Sequence, residues 1–379
     1  MNKRLKSFLR KRLPHSAILF YHKTQGVWAA IRFGMPSRHM TVIGVTGTKG
    51  KTTTCHFIAS ILEEAGFKVG MTSSVNFKIG EKSEPNNRNM GVLPPAELQK
   101  LLRQMRDAHC TVAIIEVTSH GLDQYRLWGI PFHFAGLTNI THDHLDYHKS
   151  WEQYQAVKLR LFQGKRLKAV AVNGHDSSAE LFLQKTTANR RWSYALEDDE
   201  PTPRATDHIF ADKISSNPSG ASFILKSEDE EQRVHLQLTG RFNVENALCA
   251  AAICSNLNLK LGTIVAGLER LEHVPGRLER IETRKGFSLM VDYAHTPDSL
   301  EKLYSTLRTD VRGRMIAVLG CTGDRDRTKR PIMGALAARF CDYVFVTDEE
   351  PYTEDPNQIM DEVAKGVPRG RPLFKAVYP

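Results

Sequence analysis

The stretch GVTGTKGKTTT at residues 44–54 constrains this chain more than any other segment. It follows an apolar run, TVIGV, that is typical of a buried strand, and it leads into a segment with helical apolar spacing. The common phosphate-loop pattern requires a glycine where Val45 stands. Even so, Gly44, Gly47 and Gly50 permit a tight backbone whose amides can converge on phosphate oxygens at the positive end of a helix.

Three side chains give this region its chemistry. Lys51 adds a mobile positive charge, and Thr52 offers a hydroxyl to Mg²⁺. Glu116 ends a second apolar run, TVAIIEV, and a carboxylate there suits a hard metal that prefers oxygen ligands. The alternative for residues 44–54 is a glycine-rich turn without a ligand. The alternative for Glu116 is a buried glutamate that caps a helix. Gly-Lys-Thr-Thr directly after a buried strand favours a nucleotide site.

Short apolar runs alternate with helical patterns, which predicts an α/β fold with a doubly wound parallel sheet. TVIGV, TVAIIEV, FAGLTNI and KAVAVN are the predicted strands, and helical stretches such as PAELQKLLRQMRDA lie between them. Residues 197–240 predict an antiparallel patch or long loops. SLMVDYA, RMIAVLG and DYVFVTD predict a second, smaller Rossmann-like domain. We expect a basic segment over 1–40, a central P-loop-type domain over 41–276 and a C-terminal domain over 277–379.

The cysteines and the apolar runs bear on the compartment. The six cysteines of this 379-residue chain form no CxxC pair, which argues against a disulfide framework and a structural zinc site. The sequence has no run of eighteen apolar residues, and its start lacks the apolar core of a signal peptide. We therefore expect a cytoplasmic protein.

The net charge of +10 belongs to the first segment. Residues 1–40 contain nine Lys and Arg and no Asp or Glu, which leaves 43 basic (52 − 9) and 42 acidic residues elsewhere. Because Leu, Phe, Tyr and Trp are mixed with these cations, one interpretation is a helix that contacts a membrane surface. A solvated helix packed on the next domain explains the pattern equally well. We expect no nucleic-acid partner.

The stretch HDHLDYH at residues 142–148 allows two interpretations. It approaches the HxHxDH pattern of dinuclear-metal hydrolases, but Tyr147 stands where that pattern has its last histidine. The register of the motifs around it decides against a hydrolase. We expect His142 and His148 at the surface or behind the metal ligands.

Those surrounding motifs resemble the Mur ligase family, and within it the MurE branch. The resemblance runs from about residue 41 and is carried by GVTGTKGKTTT, IIEVTSHGLDQYRL, LTNITHDHLDYHKSWEQYQAVKLRLF, TGRFNVENALCAAAIC, VPGRLERI, VDYAHTPDSLEKL, GCTGDRDRTKRPIMG and TDEEPYTEDP. It implies an ATP-dependent ligase that adds an amino acid to a UDP-MurNAc-peptide through an acyl phosphate, in peptidoglycan precursor synthesis.

The resemblance also implies roles for particular residues. The second domain would close over ATP. The implied catalytic residues are Lys51, Glu116, His144 and Lys158. Two Mg²⁺ ions would be held by Thr52, Glu116, His144 and a carbamylated Lys158. ATP would contact Gly47, Thr48, Lys49, Gly50, Lys51, Thr52, Thr53, Asn246, Arg277, Asp292, His295 and Lys329, and the muramyl-peptide or its carboxylates would contact Thr118, Gln124, Arg126 and Arg325.

The sequence departs from the family pattern in several places. Only 40 residues precede the phosphate loop, where the MurE branch carries a UDP-binding domain, and the chain stops at Pro379, before the family's last motif. The Thr-Thr-Pro substrate motif is not found, and Glu349-Glu350-Pro351-Tyr352 replaces Asp-Asn-Pro-Arg. Two alternatives therefore stay open, a folylpolyglutamate synthase-like ligase and a nucleotide-binding partner without ligase activity. The added amino acid is not specified.

Overall fold

The structure, a computed structural model, describes residues 15–88, 90–141, 145–148, 150–196, 204–217, 220–227, 230–281, 283 and 285–376. The chain forms two compact units, which divide between Arg280 and Ile281. The first unit contains the phosphate loop, and the second contains the strands RMIAVLG and DYVFVTD of the second predicted series.

A mixed sheet of eleven strands organises the first unit, in the order β11-β10-β9-β8-β7-β6-β1-β5-β2-β3-β4. From β9 to β2 all neighbours pair in parallel, as the predicted doubly wound fold requires. The parallel strands are β1 (Thr41–Thr46), β2 (Val69–Thr72), β5 (Val112–Val117), β6 (Phe134–Leu137), β7 (Ala169–Asn173), β8 (Arg190–Leu196) and β9 (Asp207–Asn217).

Antiparallel strands extend this sheet at both ends. β3 (Asn76–Ile79) and β4 (Lys82–Pro85) follow β2. At the other end, β10 (Gly220–Ser227) and β11 (Glu230–Leu236) follow β9. Of the two structures expected for residues 197–240, the described part therefore adopts the antiparallel patch, joined to the main sheet through the parallel pairing of β8 and β9.

Alternating side chains of the parallel strands supply two cores, one on each face of the sheet. Ile43 and Val45 of β1 belong to one core, and Val42 belongs to the other. The helices of the first unit are α1 (His15–Arg32), α2 (Lys51–Glu64), α3 (Pro95–Asp107), α4 (Ser119–Asp123), α5 (Leu145–His148), α6 (Trp151–Leu159), α7 (Ala179–Lys185), α8 (Arg241–Cys254) and α9 (Leu261–Arg270). Short 3₁₀ helices span Pro36–His39, Arg160–Gln163 and Ser255–Leu257.

Helix α2, which follows the phosphate loop, is buried along most of its length between the sheet and its neighbours. The Ser60 hydroxyl donates to the Gly267 carbonyl of α9 at 2.6 Å. A Cβ atom at Gly267 would lie 2.3 Å from the Cα atom of Ile61, so only glycine allows this approach. These contacts fix the second half of α2 against α9.

Helix α1 packs on the first unit, which matches the interpretation of a helix packed on the next domain. Ala29 and Ala30 are fully buried, and a Cβ atom at Gly26 would lie 2.5 Å from the Tyr125 carbonyl oxygen. The helix also exposes large apolar side chains, namely Phe20, Tyr21, Trp28 and Ile31. In the part of the chain that is described, no helix is long and apolar enough to cross a membrane.

The second unit contains a three-stranded parallel sheet in the order β14 (Ile316–Leu319), β15 (Tyr343–Thr347) and β16 (Leu373–Ala376). Helices α10 (Pro297–Asp310), α11 (Lys329–Phe340) and α12 (Pro356–Ala364) enclose its core. The predicted α/β character is confirmed. The run SLMVDYA contains strand β13 (Leu289–Val291), which lies outside this sheet, as does β12 (Glu279–Ile281).

Candidate functional site

The phosphate loop lies between β1 and α2, with glycine where the backbone requires it. Gly50 precedes the first turn of α2 with a φ of 81°, a left-handed conformation that favours glycine. Gly47 has a φ of 149°, and a Cβ atom there would lie 1.9 Å from the Thr138 hydroxyl oxygen. The loop can therefore pass close to its support while the start of α2 stays open to an anion.

Neutral hydrogen bonds from the segment after β6 hold this loop. The Thr48 amide donates to the Asn139 carbonyl at 2.8 Å, and the Lys49 amide donates to the Asn139 side-chain oxygen at 3.0 Å. The Thr138 hydroxyl donates to the Lys49 carbonyl at 2.5 Å. The Thr48 hydroxyl also lies 3.1 Å from the hydroxyl of Tyr154. The motif LTNIT thus supports the loop from one side.

Two lysine amines contact loop carbonyls. Lys51 Nζ donates to the Thr48 carbonyl at 2.7 Å, so its charge folds back over the loop. Lys158, on α6, is 1 % exposed, and its Nζ donates to the Gly47 carbonyl at 2.7 Å. The same Nζ lies 4.7 Å from the ring centroid of Tyr154. A carbonyl oxygen and a ring face both suit an ammonium group.

The first turn of α2 meets the end of β5 at Glu116, which is 2 % exposed. The Thr52 hydroxyl donates to Glu116 Oε2 at 3.0 Å, and the Ser74 amide donates to the same oxygen at 2.8 Å. Arg277 Nη2 donates to the Thr52 hydroxyl at 3.3 Å. Glu116 Oε1 makes no hydrogen bond with any described residue, so it is available to a cation.

Asn246 and Thr53 lie deeper than nucleotide-contacting residues would suggest. Asn246 is 5 % exposed, and its side-chain oxygen would lie 2.2 Å from a Cβ atom at Gly50. Its amide donates to Asn243 Oδ1 at 3.2 Å, and its oxygen accepts from Thr54 at 3.4 Å. Thr53 is likewise buried. In this arrangement Asn246, on α8, packs against the phosphate loop at Gly50 and supports it.

His56 lies one helical turn after Thr52. Its Nδ1 lies 2.8 Å from the Thr52 carbonyl, and its buried Nε2 has no hydrogen-bond partner among the described residues. Burial lowers the pKa of His56, and the nearby positive charges of Lys78 and Arg277 also lower it. Because the neutral ring donates from Nδ1, Nε2 carries a lone pair.

The three predicted peptide-contacting residues cluster beside this site. Thr118 caps α4 by accepting from the Gly121 amide at 3.1 Å. Arg126 donates to Gln124 Oε1 through Nε at 3.1 Å and Nη2 at 2.7 Å, and to the Val92 carbonyl at 2.7 Å. Arg126 thereby ties the Gln124 side chain to the loop that contains Val92.

Part of the HDHLDYH stretch can be located. His142 and His144 lie outside the described residues. His148 is 4 % exposed and lies 5.3 Å from Tyr154, measured between ring centroids, so it is not a surface residue. Tyr147 donates to Asp123 at 2.9 Å, which shows that this tyrosine belongs to a hydrogen-bond network around Gln124. Within the described residues, no group of three or more His, Cys, Asp or Glu could hold a metal.

Asp292, His295 and Lys329 lie together in the second unit. Asp292 accepts from the Ala294 amide at 2.8 Å, which shapes the turn before α10. His295 Nδ1 lies 2.9 Å from the Tyr293 carbonyl. Lys329 Nζ donates to the His295 carbonyl at 2.8 Å. All three are therefore gathered at the amino ends of α10 and α11.

Two segments of the second unit, 320–328 and 348–355, face each other, and we call them the facing loops. The Gly323 amide donates to the Glu350 carbonyl at 2.9 Å. Arg330 is fully buried, and its two terminal nitrogens, Nη1 and Nη2, donate to Glu354 at 2.9 and 3.0 Å. It also binds Glu362 at 2.6 Å. These ion pairs fix the second facing loop to α11 and α12.

Arg325 belongs to the first facing loop, and Tyr352 belongs to the second. Tyr352 donates to Glu350 at 2.7 Å, and this hydrogen bond raises the pKa of the tyrosine. The positive charge of Arg325 lowers the same pKa.

Several residues that support the phosphate loop or the facing loops were not predicted from the sequence. These are Ser74, Asn139, Tyr154, His56 and Arg330. Asn139 and Tyr154 lie in motifs that were recognised, so their place beside the loop could have been inferred. Ser74 and His56 carry no pattern of their own, and only the meeting of β2, β5 and α2 brings them to the site.

Comparisons with known proteins agree with this geometry. Residues 45–254 match the Mur ligase middle domain, and residues 276–377 match the Mur ligase, glutamate ligase domain. A UDP-N-acetylmuramyl-tripeptide synthetase of Roseiflexus sp. (strain RS-1) is 40 % identical over 89 % of this chain and 68 % of its own length. A UDP-N-acetylmuramoyl-L-alanyl-D-glutamate–2,6-diaminopimelate ligase of Clostridium botulinum is 37 % identical over 92 % of this chain and 70 % of its own.

Solved structures show the same relationship. A UDP-N-acetylmuramoyl-L-alanyl-D-glutamate–2,6-diaminopimelate ligase aligns with a TM-score of 0.64 and 32 % identity, over 89 % of this chain and 68 % of that one. Mycobacterium tuberculosis folylpolyglutamate synthase with ADP aligns with a TM-score of 0.75 over 99 % of this chain and 88 % of that one, but at 19 % identity it shows a shared fold only. The family models, the relatives and the loop geometry agree, and the chain belongs to the Mur ligase family.

Proposed function

We propose that this protein is an ATP-dependent ligase that adds one amino acid to a UDP-N-acetylmuramoyl-peptide, in peptidoglycan precursor synthesis. The observation that carries the proposal is the contact between the Thr52 hydroxyl and the buried Glu116 carboxylate at the start of α2. A phosphate loop beside a buried metal-binding carboxylate suits phosphoryl transfer. The substrate class comes from the names of relatives that are 40 % and 37 % identical.

The reaction has two steps. A carboxylate oxygen of the peptide attacks the γ-phosphorus of ATP, which gives an acyl phosphate and ADP. The amine of the added amino acid then attacks the acyl carbon, and inorganic phosphate leaves with the bonding electrons. Lys51 neutralises charge on the transferring phosphate, and the start of α2 orients the phosphate chain. Divalent metal ions supply further charge neutralisation.

The residues present fit one metal ion well. Thr52 and Glu116 are in contact, and Glu116 Oε1 is available to a cation. We assign a second ion to His144 and a carbamylated Lys158. The contacts of Lys158 with the Gly47 carbonyl and the Tyr154 ring suit an unmodified ammonium, so this part of the proposal rests on the family resemblance. The test is ¹³C NMR of the protein in ¹³C-bicarbonate, where a carbamate resonance lost in Lys158→Arg supports the assignment and its absence in wild type refutes it.

The remaining assignments belong to the same proposal. The family resemblance assigns ATP contacts to the loop residues 47–53 and to Asn246, Arg277, Asp292, His295 and Lys329. Thr118, Gln124 and Arg126 hold the peptide, and Arg325 binds a carboxylate. The Gln124–Arg126 contact supports this, because a paired arginine presents a fixed array of donors. The facing loops, with Tyr352 in place of an arginine, would contact the added amino acid.

Phosphate release tests the ligase proposal. The protein is incubated with ATP, Mg²⁺ and a panel of amino acids, with either a UDP-MurNAc-dipeptide or a folate as acceptor. We expect phosphate release and a product mass that both require the UDP-MurNAc-dipeptide. Release with the folate alone would indicate the folylpolyglutamate synthase-like alternative, and ATP binding without release under any condition would indicate a binding partner.

We also propose a cytoplasmic location with contact between α1 and an anionic membrane surface. All six cysteines are reduced and buried, as suits a reducing compartment. The exposed Phe20, Trp28 and Ile31 side chains, with Lys23 and Arg32 on the same helix, support the membrane contact. Trp28→Ser should reduce co-sedimentation with anionic vesicles, whereas Gln25→Ser on the same helix should not. Equal sedimentation of both variants and wild type would refute it.

A further inference from the structure

A cavity of about 470 Å³ lies in the first unit, away from the phosphate loop. Its lining includes Arg38, Pro131, Phe132, Lys165 and Arg166, which precede β1, β6 and β7. The phosphate loop follows β1, at the opposite end of the parallel strands. The six residues of β1 separate the two ends of the strand by roughly 20 Å, so the cavity and the nucleotide site are distinct.

The charges of the cavity have one sign. Four cations line it, namely Arg38, Arg160, Lys165 and Arg166, and none of the described residues in its lining is acidic. Arg160 lies 3.6 Å from Asp123. No carboxylate within the described ranges pairs with Arg38, Lys165 or Arg166. Among the described residues, three of the four cations, Arg38, Lys165 and Arg166, therefore have no carboxylate that neutralises them.

A histidine beside the cavity in sequence, His133, is influenced by one of the cavity cations, Arg166. His133 Nδ1 accepts from the Val42 amide at 3.0 Å, which fixes the ring next to the cavity residue Phe132. Burial lowers the pKa of His133, and the positive charges of Lys168 and Arg166 lower it further.

Aromatic side chains form the other part of the lining. Tyr125 and Trp128 are half-buried, so part of each ring remains accessible, whereas Phe132 and Leu161 are buried and form an apolar floor. Tyr125 has a φ of 51°, a conformation that aromatic residues rarely adopt. Helix α1 adds a cation, because Lys23 Nζ lies 5.9 Å from the Tyr125 ring centroid.

We propose that this cavity is a second ligand site, and that it binds a nucleoside diphosphate. The diphosphate would be held by Arg38, Lys165 and Arg166, and the base would lie against Tyr125 and Trp128. Cations with neighbouring aromatic faces are the combination that nucleotide recognition uses. The volume lies within the range of small-molecule sites, which favours a single nucleotide over a polymer.

The site has a physical connection to the predicted peptide-contacting residues. Arg160 pairs with Asp123, Asp123 accepts from Tyr147, and the Tyr147 hydroxyl accepts from Gln124 at 3.3 Å. A bound phosphate would compete with Asp123 for Arg160. Occupancy of the cavity would therefore change the contacts that position Gln124.

The test uses the fluorescence of Trp128 with UDP as the probe, in the Lys51→Ala background and without Mg²⁺, so that the phosphate loop binds nucleotide weakly. We expect UDP to quench the fluorescence. The double variant Lys165→Ala/Arg166→Ala should weaken the apparent affinity at least about tenfold. The control Lys168→Ala removes an exposed charge from the same edge, outside the cavity lining, and should weaken affinity less than about twofold. Trp128→Phe should remove the quenching while calorimetry still detects UDP.

Fragments of the probe test the two halves of the cavity. Pyrophosphate and uridine should each bind at least about tenfold more weakly than UDP, because each engages only one half of the lining. Pyrophosphate that binds as tightly as UDP would overturn the role of the aromatic side chains. No UDP binding, or equal losses in Lys168→Ala and the double variant, would overturn the site. None of these measurements requires turnover, so the result is independent of the ligase proposal.

Discussion

The phosphate loop and the facing loops are held by different interactions. Asn139, Thr138 and the Tyr154 hydroxyl hold the phosphate loop through neutral hydrogen bonds. Arg330 holds the second of the facing loops through a charged contact with Glu354 and links it to α12 through Glu362. Lys51 and Lys158 add charged contacts to the Thr48 and Gly47 carbonyls, so the support of the phosphate loop is neutral or cationic. In the facing loops the cation is paired with carboxylates. Carboxylates around the phosphate loop would repel an anionic ligand unless a cation neutralised them, as we propose for Glu116.

Of the variants that test this comparison, Lys51→Ala in the phosphate loop should give the largest loss of activity. It removes the charge that we propose contacts phosphate and removes no buried packing. Turnover should therefore fall roughly 100- to 1,000-fold, about 3–4 kcal/mol in transition-state stabilisation. The melting temperature should stay that of wild type, and Lys100→Ala, an exposed lysine on α3, should leave both unchanged. Near-normal phosphate release by the folded variant would refute the phosphate-loop assignment.

Arg330→Met should give the largest effect on stability. Removal of the buried guanidinium leaves Glu354 and Glu362 without their main partner, and we expect a loss of about 3 kcal/mol in the free energy of unfolding. Arg327 pairs with the same Glu354 at 3.0 Å but its side chain is 56 % exposed, so Arg327→Met should cost less than about 1 kcal/mol. Denaturant unfolding of the two variants measures the difference. Equal losses would show that burial does not set the strength of this network.

Asn139→Ala should give a smaller effect in the neutral loop. It leaves the Lys49 amide without its acceptor, which costs about 1–2 kcal/mol. Because both partners are uncharged, the loss should be the same at low and high salt, unlike that of Arg327→Met. Asn139→Asp keeps an acceptor for the amide and serves as the matched variant. A strong salt dependence of the Asn139→Ala loss would contradict neutral support.

Lowering the pH should give the smallest effect, a loss of stability that arises in the facing loops through Glu354. The hydrogen bond from Arg330 lowers the pKa of Glu354 from 4.5 to about 2. The folded state therefore binds fewer protons than the unfolded state in this range, and the stabilisation present above pH 4.5 is lost as the pH falls toward 2. Thermal unfolding across this range should show a steeper loss for wild type than for Arg330→Met. Parallel curves for the two proteins would show that Glu354 does not cause the loss of stability in acid.

Residues that act within one segment could be predicted from the sequence, and residues brought together by distant segments could not. β1, the phosphate loop and α2 are contiguous, so apolar spacing and glycines indicate the whole element. The family resemblance implied that Thr52 and Glu116 share a metal site, and their side chains are in contact. Ser74 reaches Glu116 only through the order of β2 beside β5, which no local pattern specifies. Arg330 resembles any exposed helix arginine until α12 brings Glu362 to it.

The two outermost strands of the large sheet have a consequence for how the protein behaves at high concentration. β4, KSEP, is fully exposed, carries Lys82 and Glu84, and ends at Pro85, which cannot donate a backbone hydrogen bond. β11 begins with Glu230 and Glu231 and continues with Arg233, all exposed. Charges and proline at sheet margins disfavour pairing between copies of a chain. The sheet is thus protected against growth by strand addition, and the protein is guarded against aggregation through these margins.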